Sequence, residues 1–328
     1  MGTLSHGLLS QSAIQANQLS PQYVSLGNLL LQNVNSPAAQ AAGIKVPYAG
    51  FNGPVSQALV PFPQYQSIPN IASHTGYSEY NALQVTAQKR FGRGLFFLLG
   101  YTNSKQLTNV GSFQGQGYSI SQGLAPTNAQ INTKFLGQLD RPQNLSLSWV
   151  YQLPFGPGKR FANTTNPIVK QLVGGWQVAG LQQYTSGDYI AVSNEQSIPG
   201  YFGGVWTNRV TGVPIVQTGC GSYDPNDPAQ NRHLNNSAFV DPAPFTFGNT
   251  RVLPNVRNCP YFNENFSAQK IFSLSERARV LFSADFTNIF NRHTWLGLQT
   301  DIDNKATFGR YTGASDPRLV QFHLRLEF

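Results

Sequence analysis

Apolar and polar side chains alternate along three segments of the chain, residues 144–152, 277–288 and 318–328. In the last segment every second residue from Val320 to Phe328 is apolar, and the residues between them are Gln, His, Arg and Glu. Successive side chains of a β-strand point to opposite faces, whereas a helix would spread these charges around its circumference. We therefore predict three strands, each with one apolar face and one largely polar face.

A weaker alternation predicts four more strands, at residues 80–91, 95–105, 175–184 and 261–272. The segment 92–94, Gly-Arg-Gly, is typical of a hairpin turn between the first two of them. Each of the seven predicted strands has about 9–12 residues, close to the length of a strand that crosses a membrane in a β-barrel.

The connections between the predicted strands alternate in length, so that short turns lie at one end and long loops at the other. The short or intermediate connections span residues 92–94, 154–174 and 273–276, and the long ones span 106–143, 185–260 and 293–317. Transmembrane β-barrels have short periplasmic turns and long extracellular loops, with apolar residues outside and polar residues inside. The predicted fold class is all-β, an antiparallel transmembrane β-barrel segment of about seven strands with long extracellular loops. A secreted β-sandwich, whose strands also alternate, is the other interpretation.

The composition excludes several other classes of protein. Only 11% of the 328 residues are charged, whereas 12% are aromatic and Gly (31) and Pro (21) are frequent. No window approaches the ~18 consecutive apolar residues of a transmembrane helix, and there are no coiled-coil heptads. Disordered chains combine few aromatic residues with high net charge, and this chain does neither.

Charge and motif content argue against nucleic-acid binding and catalysis. The net charge of +8 comes from 22 Lys and Arg residues against 14 Asp and Glu, but the basic residues are scattered rather than arranged in a stripe. The five histidines lie far apart, no G-x-S-x-G elbow is present, and two cysteines are too few for a zinc site. We expect no enzymatic activity, no cofactor, no metal and no nucleic-acid partner.

Several stretches in a specific order resemble a known family. They are YNALQVTAQKRF at 80–91, YQLPFGPGKRF at 151–161, GGWQVAGLQQYTSG at 174–187 and NFSAQKIFSLSERARVLFSADFTNIF at 265–290. Together with the terminal strand, they resemble the C-terminal part of TonB-dependent receptor-like outer-membrane proteins of the Oar-like, carboxypeptidase-regulatory-like type found in acidobacteria. The resemblance implies a location in the bacterial outer membrane.

The resemblance also implies a 22-stranded barrel with an N-terminal plug and a TonB box, neither of which we find in this sequence. We expect residues 78–328 to be the C-terminal strands and loops of such a barrel. Residues 1–77 would be a long extracellular loop or a truncated upstream barrel region, with a further strand as an alternative. Seven strands alone would leave two open edges, so we expect a C-terminal fragment or a truncated gene product.

The expected function is that of the C-terminal part of a TonB-dependent receptor that imports a nutrient. The alternatives are a non-transporting surface or adhesin-like barrel and the secreted β-sandwich as a binding module. The expected partners are outer-membrane lipid, the outer-membrane assembly machinery, an unknown small-molecule or oligomeric nutrient, and the TonB system through the plug.

Three sets of residues are candidates for specific roles. By the resemblance, Phe322, Leu324, Leu326 and Phe328 are the C-terminal signal that the assembly machinery reads, which β-augmentation could pair. Cys220 and Cys259 share the 185–260 loop and could form a disulfide worth roughly 3–4 kcal/mol in the chain-entropy model, with two free thiols as the alternative. Lumen-facing charges are expected at Arg279, Asp285, His323, Arg325 and Glu327, where they pair, contact the plug or line a substrate path.

Overall fold

Seven long antiparallel strands form one sheet in the computed structural model. They are β1 (Ser78–Gly92), β2 (Leu95–Thr108), β3 (Gln143–Gln152), β4 (Trp176–Thr185), β5 (Tyr261–Ser273), β6 (Arg279–Thr287) and β7 (Leu319–Glu327). Each pairs with the next long strand along the chain. The structure describes residues 17, 19–65, 77–92, 94–108, 112–114, 117–119, 134–137, 139–162, 166–200, 205–275 and 277–328.

The register extends each face of the sheet across all seven strands, because residues paired across antiparallel strands lie on the same face. One row runs Lys89, Phe97, Trp149, Gly180, Phe266, Phe286 and Val320, with Lys89 as its one charged member. We call the face of this row the apolar face. The adjacent row, on the opposite face, runs Phe96, Val150, Ala179, Ser267, Asp285 and Gln321. We call that face the polar face, since Gln, Asn, Ser and Thr occupy most positions in its other rows.

Short connections join the strands at one end of the sheet, which we call the short-turn end. Gly94 turns the chain from β1 into β2 at a φ of 81°, and a Cβ at this position would approach the carbonyl oxygen of Gln152 to 3.0 Å. Helix α1 (Pro167–Val173), in the connection from β3 to β4, has the Asn166 side chain as its N-cap. Residues 274–278 link β5 to β6.

The opposite end carries the long connections, and we call it the long-loop end. It contains a 3₁₀ helix (Pro21–Leu31), two short α-helices (Pro37–Ala41 and Val55–Ala58) and a second 3₁₀ helix (Asn236–Ala238). Short strands pair there: Tyr189–Ala191 with Val252–Arg257, Asn208–Arg209 with Phe239–Val240, Trp295–Leu296 with Gly313–Ala314, Ser112–Gln114 with Gly117–Ser119, and Phe135–Leu136 with β2. Among the described residues, no helix is both long enough and apolar enough to cross a membrane.

The hydrophobic cores lie in these long connections. We use the name loop assembly for the described residues of 19–65, 186–260 and 288–317. One cluster joins Leu30 and Val55 to Ile198, and a second joins Leu234 and Leu253 to Phe308, so the three segments pack against one another. The described part of 19–65 contains no strand of the sheet. Its assignment, within residues 1–77, to a loop or an upstream barrel region stays a prediction.

The apolar face is not covered. Leu83, Phe322 and Leu324 are 64%, 69% and 76% exposed, and no second sheet packs on them in the described part of the chain. A β-sandwich buries one face of each sheet against the other, so the exposed face favours a membrane protein over the sandwich alternative.

The predicted all-β antiparallel fold and its seven strands are confirmed. The strand ends differ from the prediction, most clearly for β2, which continues to Thr108 instead of ending at residue 105. The seven strands do not close into a barrel: β1 and β7 each pair on one side only among the described residues.

Candidate functional site

Aromatic side chains mark both ends of the apolar face. Tyr184 and Phe262 contact each other at the long-loop end, with ring centroids 5.7 Å apart. Trp176 and Phe272 lie on the same face near the short-turn end. The ten-residue step from Phe262 to Phe272 spans about 34 Å along the strand, or about 26 Å across a membrane at a tilt of about 40°. This matches the apolar band of outer-membrane barrels, which is about 25 Å tall.

Between the two ends the apolar face is closely packed. The ring of Trp149 lies over Gly180, where a Cβ would come within 2.5 Å of it, and its Nε1 donates to Oε1 of Gln182 at 3.1 Å. Leu95, Phe97, Leu99 and Leu147 form a shallow apolar groove beside Trp149. A groove lined only by hydrocarbon at this depth fits lipid acyl chains.

The predicted charges on β6 and β7 form two separate groups on the polar face. Near the short-turn end, the Glu327 carboxylate contacts the guanidinium of Arg279 at 2.5 Å and that of Arg325 at 3.3 Å. Asp285 lies six residues from Arg279, about 20 Å along the strand. The structure therefore does not bring the predicted charges into one site.

Asp285 is satisfied by its own neighbours. Its carboxylate accepts hydrogen bonds from the hydroxyls of Ser267 at 2.5 Å and Ser283 at 2.8 Å, and Nε2 of His323 lies 3.5 Å away. Since each charge on these two strands has a protein partner, this part of the polar face offers few free charges to a ligand.

The predicted assembly signal lies on the last strand of the sheet. Phe322, Leu324 and Leu326 project from the apolar face of β7, and Phe328 is 98% exposed just beyond its end. The second edge of β7 has no strand partner among the described residues. A free edge with regularly spaced apolar side chains has the geometry that β-augmentation requires.

A disulfide joins Cys220 and Cys259, with Cα atoms 5.5 Å apart. Tyr311, from the 288–317 segment, places its hydroxyl 3.2 Å from Sγ of Cys259, and its backbone N–H donates to the hydroxyl of Tyr223 at 2.9 Å. Burial raises the pKa of Tyr311 to about 12. The disulfide therefore lies at a packed junction between two long loops.

His233 completes this junction and could suggest a metal site. Cys220, His233 and Cys259 each offer one possible ligand atom, a ring nitrogen from the histidine and Sγ from each cysteine, and these atoms lie within 4.8 Å of one another. The two sulfurs are bonded to each other, and metal ligation by cysteine requires thiolates. The ring nitrogens of His233 face the carbonyl oxygens of Thr218 at 2.8 Å and Arg257 at 3.2 Å, so this cluster is structural in the disulfide form.

A buried ion pair connects the loop assembly to the rim of the sheet. Asp140 is fully buried, and its carboxylate pairs with Arg257 and accepts the backbone N–H of Gln106 at 2.7 Å. The next residue, Arg141, pairs with Asp188 at 2.5 Å. The sequence analysis did not predict either of these ion pairs, although Asp140 and Arg141 are neighbours in the chain.

Acidic residues crowd one part of the loop assembly. Burial raises the pKa of Asp241 above its ordinary value, and a hydrogen bond and the negative charges of Asp303 and Asp301 raise it further, while Lys305 opposes them. Apart from these carboxylates, nothing among the described residues of the loop assembly indicates a bound cation at this position.

The sheet, its lipid-facing band and its polar opposite face define a class, the transmembrane β-barrels. The chain belongs to the family of outer membrane beta barrel domains, whose match covers residues 2–321. It is therefore located in the bacterial outer membrane. No curated protein and no solved structure matches the chain.

Proposed function

We propose that the chain is part of a barrel that imports a nutrient across the outer membrane with energy from the TonB system. Membership in the outer-membrane barrel family supports the membrane location. The stretches at 80–91, 151–161, 174–187 and 265–290 support the transport role, since they resemble Oar-like TonB-dependent receptors. In this proposal a plug engages TonB, the assembly machinery reads β7, and the chain has no catalytic role.

The open edges of the sheet support a larger barrel. Backbone N–H and C=O groups that face lipid without a partner cost several kcal/mol each, so a membrane sheet must close. Strands β1 and β7 each present such an edge among the described residues. We infer that further strands join both edges and complete the barrel.

We infer the class of substrate from the lack of charged side chains at the described register positions on the polar face of β1 to β5. Every position that the strand register describes there is uncharged, and β6 and β7 pair their charges internally. Amide and hydroxyl groups both donate and accept hydrogen bonds, which suits a neutral hydrophilic solute. The polar side chains are Ser78, Tyr80, Gln84, Thr86, Gln88, Thr102, Ser104, Gln106, Thr108, Asn144, Ser146, Ser148, Gln152, Gln177, Gln183, Thr185, Tyr261, Asn263, Asn265, Ser267, Gln269 and Ser273. We therefore propose a neutral polyhydroxylated nutrient, such as an oligosaccharide.

The second candidate function is a surface barrel that binds a partner without transport. The observation that favours it is the loop assembly, because its buried clusters and disulfide make a rigid body at the long-loop end. In barrels of this class the long loops face the outside of the cell.

Uptake measurements in the native host separate the two. We expect deletion of the coding region to abolish saturable uptake of labelled neutral oligosaccharides and to leave uptake of sulfated counterparts unchanged. A protonophore should abolish the same uptake in the wild type, because TonB-coupled transport needs the proton gradient. Unchanged uptake together with lost binding of cells to a surface would support the surface barrel and contradict the transport proposal.

A further inference from the structure

The charged side chains divide unequally between the two ends of the sheet. The short-turn end comprises residues 89–97, 148–177, 269–282 and 324–328. Its described residues include nine basic side chains and one acidic side chain, whereas the rest of the described chain holds twelve of each sign. The whole net charge of +8 thus lies at the short-turn end. Arg93 and Glu276, outside the described residues, carry opposite charges and do not change this balance.

Six of these nine basic residues lie in the connections or on the apolar face rather than on the polar face. Arg279 and Arg325 are on the polar face with Glu327, the one described acidic residue of this end. Apart from Glu327, the described residues of this end include no acidic side chain that could pair with the other basic residues. They are Lys89, Arg90, Lys159, Arg160, Lys170, Lys270 and Arg277, of which all but Lys270 are exposed.

The connection from β3 to β4 exposes both basic and apolar side chains. Ile168 and Leu172, one turn apart on α1, are 70% and 61% exposed, and Lys170 lies between them. The helix is fixed to the sheet, since the side chain of Gln171 donates to the carbonyl oxygen of Ser273 at 2.8 Å and Nε1 of Trp176 donates to that of Leu172 at 3.0 Å. Short helices with exposed apolar residues and Lys or Arg are typical of a membrane interface.

Lys270 shows where this interface lies. It belongs to the apolar face, and its Nζ is 5.2 Å from the ring centroid of Trp176 and 5.0 Å from that of Phe272. Its ammonium donates to the carbonyl oxygen of Gly174, directly after α1. Lys270 is only 1% exposed, so the backbone of the β3–β4 connection holds its charge at the end of the lipid-facing strand rather than in the hydrocarbon.

We propose that the short-turn end binds the anionic phospholipid headgroups of the adjoining membrane leaflet. The basic side chains of the β3–β4 connection, Lys159, Arg160 and Lys170, would contact the phosphates, while Ile168 and Leu172 enter the upper acyl region. Each basic residue near an anionic membrane surface strengthens binding about fivefold. The charge of this end matches such a surface, and its apolar residues continue the lipid-facing band. This inference does not depend on what the barrel transports.

The test compares lipids retained by the full chain in mixed micelles that contain equal amounts of phosphatidylglycerol and phosphatidylcholine. Native mass spectrometry counts each bound lipid. We expect the wild type to prefer phosphatidylglycerol, and the triple variant Lys159→Gln, Arg160→Gln, Lys170→Gln to lower this preference about tenfold or more. The matched control, Lys45→Gln, Lys134→Gln, Lys305→Gln, removes three exposed charges from the long-loop end and should retain the wild-type preference.

Each other outcome would overturn the proposal. Equal losses in the two triple variants would mean that only net charge matters, and no lipid preference in the wild type would mean that no anionic-lipid surface exists. Binding to purified peptidoglycan that disappears in the first triple variant, with lipid preference intact, would assign the surface to the cell wall.

Glycerol 3-phosphate should not displace the lipid, because it lacks acyl chains. If the first variant fails to fold, the preference of the wild type should still fall as salt is raised.

Discussion

At the scale of single residues, a few polar contacts hold distant segments of the loop assembly together. The sequence did not decide whether Cys220 and Cys259 are bonded, because two cysteines in one loop can form a disulfide or remain free thiols. The pair between Asp140 and Arg257 was not predictable, since 117 residues separate them and neither lies in a periodic pattern. Only the packing of the 186–260 loop onto the sheet rim brings these two side chains together.

Removing the disulfide should loosen the loop assembly and leave the sheet intact. For Cys220→Ser combined with Cys259→Ser, we expect the free energy of unfolding of the loop assembly to fall by about 2–4 kcal/mol, because the unfolded loop regains freedom. Limited proteolysis of the outer-membrane protein at increasing urea measures this change, with reduced wild type as the comparison. An unchanged urea midpoint in both samples would contradict the structural role of the disulfide.

Asp241 should make the loop assembly less stable as the pH rises. Its folded-state pKa is raised above the ordinary value of 3.8, mainly by burial and then by Asp303 and Asp301. The folded state therefore binds the proton more tightly than the unfolded state, so the contribution of Asp241 to stability is greatest below about pH 4 and is lost as the pH rises through the folded pKa. The urea midpoint of proteolysis, measured from pH 4 upwards, should fall less in Asp241→Asn. An identical pH dependence in wild type and variant would contradict this.

At the level of secondary-structure elements, the strands were predictable because the alternation of apolar and polar residues indicates both the strand and which of its residues lie on each face. Residues 144–152 alternate so regularly that β3 (Gln143–Gln152) begins one residue before the predicted start and ends at the predicted residue. The end of β2 was not predictable, because its last residues, Leu107 and Thr108, pair with Phe135–Leu136, a partner outside the local pattern. Asp140 also binds the backbone of Gln106 there.

Adjacent residues of β3 should respond in opposite ways to a new charge. Leu147→Arg places a charge on the apolar face near the middle of the strand and should destabilise the protein in the membrane by about 2–4 kcal/mol. Ser146→Arg places the same charge on the polar face, where water solvates it, and should change stability little. Refolding into lipid vesicles across a urea series measures both variants. Equal destabilisation by the two would argue against different environments for the two faces.

At the scale of the whole molecule, the sheet leaves its apolar face uncovered while the loops bury their own cores. Composition and loop lengths predicted the membrane class, which the family match supports. The loop assembly was not predictable, because Leu30, Val55 and Ile198 come from non-periodic segments and meet only in the folded protein. The unequal charge of the two ends also needed the strand order, since in sequence the basic residues are scattered.

One face of the sheet contacts lipid, and the other face lines an aqueous interior. Single cysteines at Leu145, Ser146, Leu147 and Ser148 test this arrangement most directly, since the native cysteines are held in a disulfide. A water-soluble maleimide should label positions 146 and 148 in outer membranes and leave 145 and 147 unlabelled. Labelling without alternation, or at 145 and 147 instead, would show that the two faces of the sheet do not meet lipid and water in this way.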